Sequence, residues 1–238
     1  MTYMKKLFAF IVCYLFVFLS SGQETQQDST QEIEIDSLYR EDQFYVGVTF
    51  NLLLNKPKGV SQSGFSGGLH LGFIRDMPIN KRRNVAIGLG VGYSLNVYNQ
   101  NLFIGEQENT EQSIFSSLEG IDYSTNRFTT HLVEAPFEFR WRTSTPQAHK
   151  FYRIYTGVRV GYLYSFKSNF KQPGNRVRQT KLDELNRWRV GVTFTFGWNT
   201  FNFHFYYSLN TLFNSDAVIQ GESVGLNTAK IGLMFYIL

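Results

Sequence analysis

Val85-Ala86-Ile87-Gly88-Leu89-Gly90-Val91-Gly92-Tyr93-Ser94-Leu95-Asn96-Val97 places a large residue at every odd position and a small or polar one at every even position. A period of two is the signature of a strand with unlike faces. The pattern recurs in 43–54, where Phe44, Val46, Val48, Phe50, Leu52 and Leu54 face Tyr45, Gly47, Thr49 and Asn51. Six more bulky faces follow. They are Phe65, Leu69, Leu71 and Phe73; Val133, Phe137, Phe139 and Trp141; and Tyr152, Ile154, Val158, Val160, Tyr162, Tyr164 and Phe166. The series closes with Trp188 to Trp198 on even positions, Phe201 to Leu209 on odd positions, and Ile231, Leu233, Phe235 and Ile237. The chain therefore contains eight amphipathic strands.

Volume decides which face points inward. The bulky faces hold more side chain than the narrow interior of an eight-stranded barrel can accommodate. The opposite faces carry Gly47, Gly68, Gly72, Gly88, Gly90, Gly92, Gly157, Gly161, Gly191, Gly197 and Gly232, which suit a crowded interior. An outward band of large apolar residues without an ionised member is intolerable in water and required by lipid. The fold class expected is thus all-β: an eight-stranded antiparallel transmembrane up-and-down β-barrel, closed so that no strand edge is left unpaired in hydrocarbon. Long connections at 55–63, 99–126, 168–186 and 211–227 alternate with short ones at 75–84, 143–150 and Asn199-Thr200. That alternation places the short turns and both termini on the periplasmic side. Pro136 cannot donate to a ladder, so a bulge is expected there.

Met1 to Lys6 supply a basic start, Leu7 to Leu19 an apolar run, and Ser20-Ser21-Gly22 small residues, which together read as a signal peptide over 1–22. As a helix that run spans about 20 Å, less than the roughly 30 Å hydrocarbon core. Cys13 is the single cysteine, so the processed chain would hold no thiol and neither disulfides nor thiolate chemistry. Residues 23–42 carry seven acids against Arg40 and read as an acidic, disordered periplasmic leader, with the barrel over 43–238. The remainder is basic, with 20 Lys and Arg against 12 Asp and Glu. The expected location is the outer membrane of a Gram-negative cell, with the lipid bilayer as the first partner.

The inward face includes His70, Glu134, Glu138, Arg140, Arg153, Arg159, Lys167, Arg187, Arg189, His204 and Lys230. Buried charges require partners. A tight turn at 143–150 sets Glu134 and Glu138 near Arg159 and Arg153, with room for the arginines above Gly88, Gly90 and Gly92. An ion-pair network of Glu134, Glu138, Arg140, Arg153, Arg159 and Arg189 is expected to plug the lumen; a gated path for ions or small solutes is the alternative. His204 and Ser208 share one face, but four residues separate them by about 13 Å, too far for a hydrogen bond. No phosphate loop, zinc spacing or calcium loop is present, so no cofactor or metal is expected. Nucleic acid is not expected as a partner, because the strand cations face the lumen.

Loop 99–126 holds Glu106, Glu108, Glu111, Glu119 and Asp122, and loop 168–186 holds Lys171, Arg176, Arg178 and Lys181 against Asp183 and Glu184. Opposite signs suit a lid made by the two loops docking. The functional version is a surface for a protein partner, with Ile114, Phe115, Leu118, Ile121, Arg176 and Arg178 as contacts.

Three stretches resemble the PorT-like outer-membrane β-barrel proteins of Bacteroidetes. They are Gly67-Gly68-Leu69-His70-Leu71-Gly72, Leu132-Val133-Glu134-Ala135-Pro136-Phe137-Glu138-Phe139-Arg140, and Tyr155-Thr156-Gly157-Val158-Arg159-Val160-Gly161-Tyr162. The resemblance covers roughly 43–238 and implies a link to type IX protein secretion. The functional expectation is a non-enzymatic structural or accessory component of a secretion or surface-assembly system. A narrow porin-like channel comes second and a lipid-acting enzyme third.

Overall fold

The computed structural model describes residues 42–107, 113–143 and 151–237. The expected signal peptide, all of the leader except Asp42, the 144–150 turn, Glu108 and Glu111 lie outside those residues. Eight strands form the wall: β1 (Gln43–Leu54), β2 (Gly67–Pro78), β3 (Val85–Asn99), β4 (Thr125–Arg142), β5 (Tyr152–Gln172), β6 (Trp188–Trp198), β7 (Phe201–Ser208) and β8 (Asn227–Ile237). Each pairs antiparallel with its neighbour in sequence, and β1 closes the ring against β8, from Phe44 opposite Ile237 to Leu54 opposite Asn227. The chain is a closed eight-stranded antiparallel barrel.

The facing follows the period of two. Phe44, Val46, Val48 and Phe50 alternate with buried Tyr45, Thr49 and Asn51, and Phe137, Phe139 and Trp141 with buried Glu138 and Arg140. Among the bulky residues read as outward, Phe166 alone is buried. The reason is a register shift in the β4–β5 ladder: His131 stands opposite Ser165 and Leu132 opposite Leu163, so Tyr164 is the extra residue of a bulge. Beyond it the faces of β5 exchange, which turns Phe166 and Phe170 inward and exposes Lys167, expected in the lumen. Arg187 is exposed as well. At Pro136 itself there is no extra residue: it sits opposite Arg159, facing inward, with Glu134 opposite Gly161 and Glu138 opposite Gly157 in unbroken register. The missing donor of Pro136 lies toward β3, where the ladder skips from Leu89–Phe137 to Gly92–Glu134.

From Trp141 to His131 a strand rises about 33 Å, or about 25 Å along the axis of a normally tilted barrel, the height of the apolar band of such proteins. Aromatic residues mark both rims. Tyr152, Trp198 and Phe201 are exposed near the short turns. Trp188 packs edge-on to Tyr162 at 5.1 Å toward the long loops, and Tyr93 Oη lies 2.6 Å from His131 Nδ1. The turn between β6 and β7 is as tight as its two residues require, with Asn199 at φ 54, a left-handed value that asparagine tolerates. At the other end β5 extends to Gln172 and folds back through Asn175–Gln179, while Leu102–Glu106 pairs with Ser113–Ser117 in a second hairpin.

Candidate functional site

Three layers fill the barrel. Nearest the short turns, Arg142 Nη1 and Nη2 donate to the two carboxylate oxygens of Asp76 at 2.7 and 2.8 Å. Arg140 Nη1 donates to Asp76 at 3.2 Å and Nε to Glu138 at 3.1 Å. Asp76, Arg140 and Arg142 are wholly buried. The Arg140 guanidinium lies 4.6 Å from the Tyr155 ring centroid, and Arg153 lies over Phe151 at 4.4 Å and Tyr236 at 5.7 Å. Each cation thus meets a carboxylate or an aromatic face, the two partners that offset desolvation.

In the middle layer Arg159 Nη1 donates to Glu134 at 3.3 Å and lies over Tyr45. Lys230 lies over Tyr206 at 4.8 Å. His70 bridges Thr49 at 2.9 Å and Ser94 at 2.7 Å, and His204 Nδ1 meets the Thr195 hydroxyl at 2.7 Å. Glycines make the room. A Cβ on Gly92 would overlap the Tyr45 hydroxyl, one on Gly191 the Tyr206 ring, and one on Gly88 would stand 2.6 Å from Arg140 Nε. Arg189, included among the expected ion pairs, instead donates to the backbone carbonyl of Thr211 in the last long loop.

The third layer is apolar. Leu53, Tyr98, Phe128, Leu132, Leu163 and Phe166 from the wall join Leu102, Ile104, Phe115, Leu182, Phe213 and Leu226 from the loops in one buried cluster. Phe128 stacks on Tyr98 at 4.8 Å and Phe213 meets Phe115 edge-on at 5.5 Å. The long loops therefore form a cap with its own core. The two loops expected to dock do touch, through Gln179 donating to Glu106 at 3.0 Å and Ser113 to Glu184 at 2.6 Å. Phe115 and Leu118, read from sequence as partner contacts, are 8% and 6% exposed and serve the cap, whereas Ile114 and Ile121 are 38% and 46% exposed. Arg176 and Arg178 are exposed on the hairpin that continues β5. Leu118→Ala is expected to cost about 2 kcal/mol and to speed proteolysis of the loops. Ile114→Ser should stay within about 0.5 kcal/mol of wild type in the same assay.

Asp76, Arg142 and the inward tyrosines Tyr45, Tyr155, Tyr206 and Tyr236 were not singled out from sequence. The alternation His70, Gly72, Ile74, Asp76 does carry straight through what reads as a turn before Pro78, and Arg142 continues Glu138 and Arg140. Each was legible as inward, but its partner was not. His204 bonds Thr195, and Ser208 Oγ accepts the Thr228 N–H at 2.7 Å, so both have other partners than each other. Among the described residues no group of three or more His, Cys, Asp or Glu is placed to hold a metal ion.

A closed barrel with an apolar exterior about 25 Å tall, rimmed by aromatics and filled by paired charges, is an integral membrane β-barrel. The chain belongs to the outer membrane protein β-barrel domain family, which matches residues 23–214. This family is broader than the PorT-like group that the three stretches resemble. The protein's location is accordingly the outer membrane, and its first partner the bilayer. Among solved structures the chain is similar to Ail, the attachment invasion locus protein of Yersinia pestis, crystallised in complex with the heparin analogue sucrose octasulfate. The likeness has a TM-score of 0.30 and 13% identity, over 84% of this chain and 100% of that one. No curated protein matches.

Proposed function

We propose that this protein is a non-enzymatic, non-conducting outer-membrane barrel, a structural or accessory component of a type IX-like secretion or surface-assembly complex. The observation that carries the reading is the filled lumen: Asp76, Arg140, Arg142 and Glu138 block one end, and the cap cluster closes the other. A barrel so packed has no use for its interior as a path, which leaves its loops and outer wall as the working surfaces. Eight strands return both chain ends to one side, and the short turns on that side support a periplasmic location for both termini. In this reading residues 1–22 direct export and the acidic segment 23–42 serves as a periplasmic tether. The resemblance of the 132–140 and 155–162 stretches to PorT-like proteins supports the secretion role.

Planar-bilayer recording tests it. The purified barrel is expected to give no stable openings, and sizeable, long-lived conductance would overturn the plugged-lumen reading. Affinity isolation from native membranes should return defined envelope or secretion components in fixed stoichiometry, and recovery of the barrel alone would count against an accessory role.

A further inference from the structure

The outer wall is apolar up to the rim formed by Tyr93, His131 and Tyr164, where each tyrosine ring lies 6.1 Å from the His131 ring. One outward step beyond it the wall becomes cationic. Thr129 pairs with Lys167, Arg127 with Asn169 and Lys171 with Arg176, which places their side chains on the lipid-facing side. Arg127, Thr129, Lys167, Asn169 and Arg176 line one cavity of about 120 Å³. That is about four times the share of volume a water molecule takes in the liquid, enough for a tetrahedral oxyanion. No carboxylate lines it, and among the described residues Arg127, Lys167 and Arg176 make no ion pair. The Asn169 side chain joins that lining, and its amide oxygen is buried without a hydrogen-bond partner.

Unpaired surface cations are ordinarily a solvated face. Here they converge on a walled cavity, with a hydroxyl and an amide between them, at the depth where the headgroup layer begins. Arginine and lysine around a hydroxyl donor suit phosphate better than a carboxylate, because the tetrahedral group accepts from several directions at once. We propose that this cavity binds the phosphoryl group of a phosphorylated lipid headgroup in the leaflet that meets the long-loop end. In the orientation proposed above, that leaflet is the outer one and the lipid is a phosphorylated glycolipid; the phosphate site itself does not depend on that orientation.

The test uses the full barrel reconstituted in phosphatidylcholine vesicles doped with lipid A, with lipid A stripped of its phosphates, or with phosphatidylglycerol, and native mass spectrometry of the lipid retained after mild extraction. The vesicles are symmetric, so the result is independent of orientation and of the accessory role. Retention of intact lipid A above both others is expected. The triple variant Arg127→Gln, Lys167→Gln, Arg176→Gln should lose affinity about 100-fold, and Lys167→Gln alone about fivefold. The variant Arg75→Gln, Lys81→Gln, Arg82→Gln, at the opposite rim, should retain wild-type affinity. Heat-modifiable gel mobility checks that each variant is folded, and the single variant decides the matter if the triple one is not. Equal retention of dephosphorylated lipid A, unchanged affinity in Lys167→Gln, or displacement of the lipid by equimolar inorganic phosphate would each overturn the proposal. Preferential retention of phosphatidylglycerol would overturn the glycolipid assignment.

Discussion

Asp76→Ala is expected to lower the stability of the folded barrel by about 3–5 kcal/mol, because it leaves two buried guanidinium groups without their shared carboxylate. Arg142 loses both of its bonds to Asp76 and Arg140 loses one, in a layer with no access to bulk water. Asp76→Asn keeps an acceptor oxygen and should fall between the two. The double variant Asp76→Ala, Arg142→Leu should recover part of the loss, since replacing both members of a buried pair costs less than orphaning one. Urea titration followed by heat-modifiable gel mobility measures this, with exposed Asp216→Ala as a control expected within about 0.5 kcal/mol. A wild-type midpoint for Asp76→Ala would show that the short-turn end is not held by this pair.

Gly232→Ala and Gly157→Ala should each cost about 3 kcal/mol, the upper end of what overpacking costs, and lower the yield of closed barrel. A Cβ on Gly232 would overlap the Val48 carbonyl oxygen and stand 2.6 Å from Thr49 Cα. One on Gly157 would overlap the Phe137 carbonyl oxygen, 2.8 Å from Glu138 Cα. The obstacle in both cases is a neighbouring strand's backbone, so no rotamer change relieves it. Gly232 also lies in the closing pair, opposite Thr49. Gly225→Ala, whose Cβ would meet only Thr211 Cγ2 at 3.6 Å, is the matched control and should refold with the wild-type yield. Refolding of Gly232→Ala to the same fraction as that control would show that the wall can spread at this point.

The strands were readable because each carries its own evidence. Phe44 to Leu54 declares two unlike faces without reference to any other segment, and the same is true of Val85 to Val97; which face meets lipid follows from the volume of all eight bulky faces together. Phe166 escaped for the opposite reason. Nothing near it announces a bulge, and the shift shows only when Ser165 and Leu163 are set against His131 and Leu132. Pro136 drew attention as the residue without a donor, but the ladder accommodates it with missing bonds instead of an extra residue. Phe115 and Leu118 look like contact residues in a loop considered alone. They are buried because Phe213, about a hundred residues away in sequence, comes to rest against the same cluster.

What the amino-acid order determined by itself is sidedness. Large apolar residues at every second position, with glycines between them, specify a closed wall facing hydrocarbon, since strand periodicity is local and the volume of the interior is fixed by strand number. Only the tertiary structure decided which inward side chains meet. Ring closure and register bring Asp76 to Arg142, Tyr45 onto Gly92 and Arg189 to the Thr211 carbonyl. A two-residue slip would separate those groups while keeping every side chain on its own face, so no segment encodes the pairing on its own.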